Sequence, residues 1–213
     1  MDSTTDEVEP ESFVSHLYVK WTNFFKFFDA DNDGKWTKKD LRTLADRFIR
    51  EAGNLLSESG AMHVRRQAQH WLKTQEEELC QVAAGEINPD VFCKTLRQLL
   101  GKVSDNTHLF KDLDIFSEIF FEIIDINRDG KISKQELTVF YKAVGIHNQI
   151  IVETLFNNLN LLRDSSVSRE EFRIAYREYF FGDQRFRNGL IPYLFDREGL
   201  LEKQREFFYQ DPL

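Results

Sequence analysis

Apolar residues recur at helical spacing along most of the chain, in segments separated by short polar stretches. In the first segment they lie three or four positions apart, which places them on one face of a helix: Phe13, Leu17, Trp21, Phe24 and Phe28. The same periodicity predicts seven further helices, including a long one over about residues 61–83 and one over residues 148–159. The pattern therefore predicts an all-α protein.

Breaks in this pattern divide the chain. Gly53 and the run 57–60 mark a break before the long helix, residues 101–107 predict a hinge between two halves, and Gly145 suits the end of a helix. The apolar residues near the C-terminus predict a tail that packs back onto the protein, the alternative being a segment that binds a partner or a membrane surface. The expected division is a flexible acidic tail over 1–12, two paired units over 13–103 and 104–181, and a C-terminal tail over 182–213.

The polar stretch over residues 125–136 reads DINRDGKISKQE and carries the most specific signal in the chain. It matches D-x-[DN]-x-[DN]-G-x5-E at every defined position, which is the calcium loop of an EF-hand. Such a loop supplies the six to eight oxygens that Ca2+ requires, and Gly130 permits the sharp turn at position 6. A chance acidic turn is the alternative interpretation. The predicted ligands are Asp125, Asn127, Asp129, the backbone carbonyl of Lys131, Ser133 and Glu136.

A second loop of this kind, DADNDGKWTKKD, occupies residues 29–40. It departs from the ideal at position 8, where Trp36 replaces an aliphatic residue, and at position 12, where Asp40 replaces glutamate. The shorter aspartate provides both oxygens only if the loop tightens, and a tighter site with fewer oxygens favours Mg2+ more. We therefore expect a functional site of mixed Ca2+/Mg2+ character. Its predicted ligands are Asp29, Asp31, Asp33, the carbonyl of Lys35, Thr37 and Asp40.

Two further stretches keep the EF-hand pattern but lack ligands. In the second hand, the positions that should carry oxygens hold Cys80, Val82, Ala84 and Val91, so we expect a structural role in which Ile87 pairs with Trp36. The fourth hand spans residues 160–171 and keeps Asn160, Asp164, Ser168 and Glu171. Its position 3 is Leu162, and Ser165 replaces the turn glycine, so we expect strain and little binding, with Val167 pairing with Ile132.

Composition narrows the possible functions. The chain has 213 residues and a formal net charge of -8, with no basic stripe of the kind that binds nucleic acid. Cys80 and Cys93 do not suffice for a disulfide framework or a zinc site. We find no secretory signal, no membrane-spanning apolar run and no arrangement of catalytic residues. These features predict a soluble, cytoplasmic, monomeric protein that binds metal ions and is not an enzyme.

Four features of the chain resemble the invertebrate sarcoplasmic calcium-binding proteins, including their calexcitin-like members. They are the order of binding and degenerate hands, Asp40 at position 12 of the first loop, the YREYFFGD run and the Arg187–Leu190 segment that follows it. The resemblance implies four EF-hand units in two lobes that face each other across an apolar core, with short ribbons between paired loops. It also implies a Ca2+/Mg2+ buffer. GTP binding has been proposed for calexcitin-like members, but this sequence has no glycine loop that could cradle a phosphate.

Three functional hypotheses follow. The first is a Ca2+/Mg2+ buffer or calcium-signal modulator that binds two ions through the first and third hands. The second is a calcium sensor that opens a groove for a target protein, although such grooves are commonly rich in methionine and this chain has only Met1 and Met62. The third is an EF-hand luciferin-binding protein or photoprotein, which the aromatic content permits without indicating.

Overall fold

The computed structural model describes residues 10–79, 87–101, 106–182 and 191–209. Within these ranges, two short 3-10 turns, Gly53–Leu55 and Ile191–Tyr193, accompany the helices and two strands. The predicted all-α class is confirmed. The elements are α1 (Pro10–Phe28), α2 (Lys38–Ala52), α3 (Glu58–Leu79), α4 (Pro89–Gly101), α5 (Asn106–Ile124), β1 (Lys131–Ser133), α6 (Lys134–Ala143), α7 (Gln149–Leu159), β2 (Ser166–Ser168), α8 (Arg169–Phe181) and α9 (Arg197–Tyr209).

Some helix ends differ from the sequence-based expectation. Residues 58–60, which were expected to form a break, are the first turn of α3, because the Ser57 hydroxyl accepts a hydrogen bond from the Gly60 backbone N–H at 3.1 Å. α1 starts at Pro10, so residues 10–12 belong to the first helix and not to a tail. Gly101 ends α4 and Asn106 begins α5, while residues 102–105 of the expected hinge lie outside the described ranges. The expected end of the long helix near residue 83 also lies outside them.

The end of α6 shows how local sequence sets a helix boundary. Gly145 has φ +88°, and its N–H donates to the Lys142 carbonyl, while the Ile146 N–H donates to the Tyr141 carbonyl, each at 2.9 Å. This pair of bonds satisfies carbonyls that the helix end would otherwise leave without partners. The predicted role of Gly145 is confirmed.

Short ribbons join the loops as predicted. β1 and β2 are antiparallel, with Ile132 opposite Val167, and both side chains are fully buried. In the first half, Trp36 forms an isolated bridge with Ile87, and its backbone N–H donates to the Ile87 carbonyl at 2.8 Å. Each ribbon ties the centre of one loop to its neighbour, so the geometry of one loop depends on the other.

The two halves share one aromatic core. α2 packs against α6, α3 against α5 and α1 against α8, so the contacts cross from one half to the other. Phe24 of α1 stacks on Phe92 of α4 with ring centroids 5.8 Å apart, and it also lies 6.2 Å from Phe120 and 4.8 Å from Phe180. The interior is therefore continuous between the halves.

The described part of the C-terminal tail packs onto this core, as predicted. Ile191, Leu194 and Leu200 are buried, and the Tyr141 hydroxyl donates to the Leu194 carbonyl at 3.0 Å. Phe195 is 1% exposed and lies among rings from α1, α5 and α8. Residues 183–190, including Phe186 and Leu190, lie outside the described ranges.

Candidate metal sites

Residues 29–40 bring three carboxylates together. One carboxylate oxygen from each of Asp29, Asp31 and Asp40 lies within 4.8 Å of the others. Among the described histidine, cysteine and acidic side chains, this is the one such group of three. The chain turns inward here because the Asp29 carboxylate accepts the backbone N–H groups of Asp33 and Gly34 at 3.2 and 2.9 Å. Gly34 has φ +80°, which glycine adopts without strain.

Asp40 closes this first loop. One of its oxygens accepts the backbone N–H of Ala30 at 3.0 Å, and the other accepts the N–H and the hydroxyl of Thr37 at 2.9 and 2.7 Å. Thr37 and Asp40 also form the capping box that starts α2. The residues at positions 9 and 12 therefore both hold the loop in place and start the helix. Asp40 is 1% exposed.

The contacts of Trp36 explain why position 8 of the first loop holds a large aromatic residue. Its ring stacks on Phe25 with centroids 4.6 Å apart, and its indole N–H donates to the Phe25 carbonyl at 2.8 Å. A large side chain at this position therefore anchors the loop to α1, which an aliphatic residue could not do by hydrogen bonding.

Residues 125–136 repeat this arrangement closely. The Asp125 carboxylate accepts the N–H groups of Asp129 and Gly130 at 3.1 and 3.0 Å. Glu136 accepts the N–H of Asn127 at 3.1 Å with one oxygen and the N–H and hydroxyl of Ser133 at 2.8 and 2.7 Å with the other. Three acidic groups do not converge here because position 3 is the amide of Asn127.

The charges of this third loop favour a cation. Asp125 and Glu136 are 3% and 5% exposed, so two buried carboxylates share one loop. Burial raises the pKa of Asp125, and the neighbouring charges of Glu136 and Asp129 raise it further, although backbone hydrogen bonds from Gly130 and Asp129 partly offset this. A cation bound between such groups would offset that increase, because it stabilises the ionised carboxylates.

The remaining predicted ligands of the two loops lie as follows. Asp33 and Asp129, both at position 5, each accept the N–H of the position 7 residue, Lys35 or Lys131, at 2.9 Å. Both carboxylates are exposed. The hydroxyls of Thr37 and Ser133 both donate to the position 12 carboxylate.

The fourth hand keeps the loop and replaces one charge with an amide. Glu171 accepts the Leu162 N–H at 2.9 Å and the Ser168 N–H and hydroxyl at 2.8 and 2.7 Å, as its counterparts do in the other loops. Asn160 accepts the Asp164 N–H with its oxygen and donates its own amide N–H to the Asp164 carbonyl. Burial alone would raise the pKa of Glu171, but the hydrogen bonds from Ser168 and Leu162 outweigh it and lower that pKa.

The strain expected at Ser165 is absent. In this hand the left-handed residue is Arg163, with φ +55°, at the same loop position as Asn32 and Arg128, and Ser165 does not take a positive φ. The loop thus has no need of glycine at position 6. Leu162 is 74% exposed at the position where an acidic ligand would stand.

The loop of the second hand lies mostly outside the described residues, which resume at Ile87. The Asn88 side-chain oxygen accepts the Val91 N–H at 3.0 Å at the start of α4, as its sequence predicted. The absence of an ion from this loop remains a prediction.

Sequence reasoning missed one charged side chain at the first loop. The Lys39 ammonium donates to the Asp31 carboxylate at 2.7 Å and lowers the pKa of Asp31 through that hydrogen bond. The two residues are eight positions apart and face each other only because the loop folds back on itself. Opposite charges near a known loop were the available signal, but such pairs are common without consequence.

Comparison with known families agrees with this geometry. A family model described as an EF-hand domain pair matches residues 117–177, which contain the third and fourth loops, and an EF-hand model matches residues 23–45, which contain the first. The fold is that of the EF-hand proteins, and the chain is a calcium-binding protein of this class.

Two sequence relatives indicate a narrower group within the EF-hand proteins. The chain is 27% identical over 134 residues to a sarcoplasmic calcium-binding protein of Hediste diversicolor and 29% identical over 136 residues to one of Perinereis vancaurica tetradentata. Each match covers 62% of this chain and 72% of the relative. The resemblance to sarcoplasmic calcium-binding proteins predicted from the sequence is therefore confirmed.

Solved structures support the fold. A coelenterazine-binding protein from Renilla muelleri, in its calcium-loaded apo form, has a TM-score of 0.69 at 23% identity, covering 87% of this chain and 97% of that one. Calcium-loaded apo-aequorin from Aequorea victoria has a TM-score of 0.56 at 16% identity, covering 78% and 91%. Identities this low show a shared fold alone. None of the described helices combines the length and apolar content needed to cross a bilayer.

Proposed function

We propose that this chain is a Ca2+/Mg2+ buffer or calcium-signal modulator that binds two ions, one in residues 29–40 and one in residues 125–136. The observation that carries the proposal is the number of buried carboxylates in each loop. Asp29 and Asp40 are both buried in the first loop, and Asp125 and Glu136 in the third. Two like charges held close together away from water favour a cation between them.

The fourth loop provides an internal comparison. It has the same backbone hydrogen bonds to its position 12 carboxylate, yet Asn160 stands where the binding loops have aspartate. Its buried pair is therefore one carboxylate and one amide, and the amide N–H binds the Asp164 carbonyl. We infer that hydrogen bonds hold the fourth loop together, whereas a bound ion does so in the first and third loops. The fourth loop therefore carries no ion.

The proposed ligands are the hard oxygen donors that Ca2+ and Mg2+ prefer. In the first loop the donors are Asp29, Asp31, Asp33, Thr37, Asp40 and the carbonyl of Lys35. In the third they are Asp125, Asn127, Asp129, Ser133, Glu136 and the carbonyl of Lys131. The ion supplies charge neutralisation and a link between each loop and the helix that follows it. The shorter Asp40 favours competition by Mg2+ at the first loop more than at the third.

An enclosed organic ligand is not supported. The apolar cavity lined by Phe28, Phe48, Phe120 and Phe140 among the described residues has a volume of about 50 Å³. Small-molecule pockets usually measure roughly 300–1,000 Å³. Aromatic rings fill the interior here, so we favour a buffer over a luciferin-binding protein. The proposal assigns the chain to the cytoplasm, as a monomer, without catalytic activity.

Calorimetric titration with Ca2+ tests the proposal. The unmodified protein should bind two ions, and Glu136→Gln and Asp29→Asn should each reduce that number to one. Glu171→Gln makes the same chemical change at the same position of the fourth loop and should leave two ions bound. Loss of an ion in this control, or unchanged binding in Glu136→Gln, would contradict the assignment of the sites.

Two further measurements during the Ca2+ titration distinguish a buffer from a sensor. Titration in the presence of Mg2+ should weaken Ca2+ binding, chiefly at the first loop. The fluorescence of an apolar dye such as ANS should fall when Ca2+ binds, because a buffer closes around its ions. A rise in dye fluorescence on Ca2+ binding would indicate a sensor that exposes apolar surface.

A further inference from the structure

The backbone carbonyl of Phe25, in the last turn of α1, accepts two hydrogen bonds. One comes from the backbone N–H of Asp29 at 3.1 Å and extends the helical pattern to position 1 of the first loop. The other comes from the indole N–H of Trp36, at position 8, at 2.8 Å. A carbonyl oxygen has two lone pairs and can accept both bonds. Positions 1 and 8 of the first loop are therefore held to one atom of the helix that precedes it.

The third and fourth loops make the first of these bonds without the second. In each of them the N–H of the position 1 residue donates to the carbonyl four residues earlier, at 2.9 Å. Their position 8 residues, Ile132 and Val167, are aliphatic and have no side-chain donor. Among the first, third and fourth loops, the bond from the position 8 side chain to the preceding helix therefore belongs to the first.

Several contacts hold the Trp36 ring, and none of them involves a proposed metal ligand. The ring stacks on Phe25 at 4.6 Å between centroids, and it lies 5.9 Å from Phe24 and 5.0 Å from Phe92 of α4. The Trp36 backbone N–H donates to the Ile87 carbonyl in the second hand at 2.8 Å. Trp36 is 3% exposed. These contacts do not require a bound ion, so the ring is in place before an ion arrives.

Trp36 stands between two proposed ligands. Lys35, which precedes it, offers its backbone carbonyl, and Thr37 follows it. The N–H and hydroxyl of Thr37 donate to the Asp40 carboxylate at 2.9 and 2.7 Å. Because Trp36 is tied to the carbonyl that also holds Asp29, the two ends of the ligand set cannot move apart freely.

A restrained loop discriminates between the two ions. Mg2+ requires a nearly ideal octahedron of oxygens at about 2.0–2.1 Å, whereas Ca2+ accepts six to eight oxygens at about 2.3–2.6 Å in flexible geometry. A loop that is free to rearrange therefore loses more affinity for Mg2+ than for Ca2+. We propose that Trp36 is a positioning residue that favours Mg2+ at the first loop, through its bond to the Phe25 carbonyl, a role that rests on the function proposed above.

Calorimetry on the full chain with Glu136→Gln, which leaves the first loop as the proposed binding site, measures Ca2+ and Mg2+ separately. Adding Trp36→Phe keeps a ring to stack on Phe25 and removes the donor. The Kd for Mg2+ should rise about five- to tenfold, as for the loss of one buried hydrogen bond. The Kd for Ca2+ should rise by no more than about twofold. A change that only loosened the fold would weaken both ions alike.

Trp21→Phe is the matched control, made in the same Glu136→Gln chain. Trp21 is also buried, and its indole N–H also donates to a backbone carbonyl, that of Phe180, at 3.1 Å. Its substitution should lower the Tm, as the loss of the Trp36 bond should, but leave the ratio of the two Kd values within about twofold. An equal change of this ratio in the control would overturn the proposal.

Hydrogen exchange of the Trp36 indole N–H tests the same bond in the unmodified chain, so it does not depend on the folding of a variant. Its NMR signal is identified by through-space contacts to the Phe25 ring. In EDTA this N–H should exchange slowly with solvent, because it is buried and bonded to protein. Rapid exchange in EDTA would overturn the proposal, since the bond would then depend on the ion.

The titrations also separate the role of Trp36 from the proposed function. Absence of any bound ion in the Glu136→Gln chain would refute the ion assigned to the first loop, and the role of Trp36 with it. Equal losses of Ca2+ and Mg2+ affinity in Trp36→Phe, or no loss, would refute the role of Trp36 alone and leave the two-ion proposal intact. A shift of preference towards Ca2+ in Trp36→Phe and not in Trp21→Phe is the expected result.

Discussion

Phe195 is the side chain by which the C-terminal segment enters the core, and its removal is the most informative change to stability. It lies within 6.0 Å, centroid to centroid, of six aromatic rings. Those rings come from α1, α5 and α8, which span both halves of the chain. Phe195→Ala would remove all of these contacts at once. The rings are those of Phe24, Phe27, Phe28, Phe120, Tyr176 and Tyr179.

The size of the effect follows from burial. A buried phenylalanine removes about 150–250 Å² from water, which at about 25 cal/mol per Å² is roughly 4–6 kcal/mol. Measured Phe→Ala changes in protein cores cost about 3–5 kcal/mol. For a chain of this size that corresponds to a fall in Tm of roughly 6–20 °C. Because Phe28 directly precedes Asp29, Ca2+ binding at the first loop should also weaken.

Urea and thermal unfolding, in EDTA and in Ca2+, measure this prediction. Leu201→Ala is the matched control, since Leu201 is on the same segment but only partly buried. The control should cost less than about 1.5 kcal/mol. If Phe195→Ala costs no more than the control, the segment does not stabilise the core and the argument from its ring contacts is wrong.

Three further changes act on the loops. Asp125→Asn should raise the Tm of the protein in EDTA and abolish one Ca2+ site. Burial raises the pKa of Asp125, so the ionised carboxylate destabilises the ion-free fold at pH values above that pKa. This destabilisation should disappear as the pH falls through the pKa of Asp125, and the variant should not show it. Asn160→Asp with Leu162→Asp should create a third Ca2+ site, detected by calorimetry; an unchanged ion count would refute our explanation of the fourth loop. Lys39→Met removes the cation beside Asp31 and should strengthen Ca2+ binding at the first loop about two- to fivefold, whereas weaker binding would contradict it.

Local rules predicted much of this structure. The motif spacing predicted sharp turns at Gly34 and Gly130, and both glycines have φ +80°. The position 8 residues correctly predicted the pairs Ile132–Val167 and Trp36–Ile87. Gly145 ended α6 as predicted. These features depend on residues close together in the sequence, or on a motif whose backbone is nearly invariant, so propensity and spacing suffice.

Non-local contacts were beyond such rules. The sequence predicted that the tail packs on the core, but not that Phe195 would be the residue that contacts rings from α1, α5 and α8, because many apolar residues there could have served. Strain at Ser165 was predicted from the absence of glycine, yet the loop avoids it by a different turn. The sequence analysis counted Asn160 among the ligand positions that the fourth loop keeps, and only its bond to the Asp164 carbonyl shows that the amide takes part in the loop's own hydrogen bonding.

The most direct test of the central claim is an anomalous difference map from crystals of the full chain grown with Ca2+. The account predicts two calcium peaks per chain, one within residues 29–40 beside Asp29 and Asp40 and one within residues 125–136 beside Asp125 and Glu136. It predicts none within residues 160–171. A calcium peak in the fourth loop, or the lack of a peak in the first or the third loop, would contradict the assignment of ions to loops by their buried carboxylates.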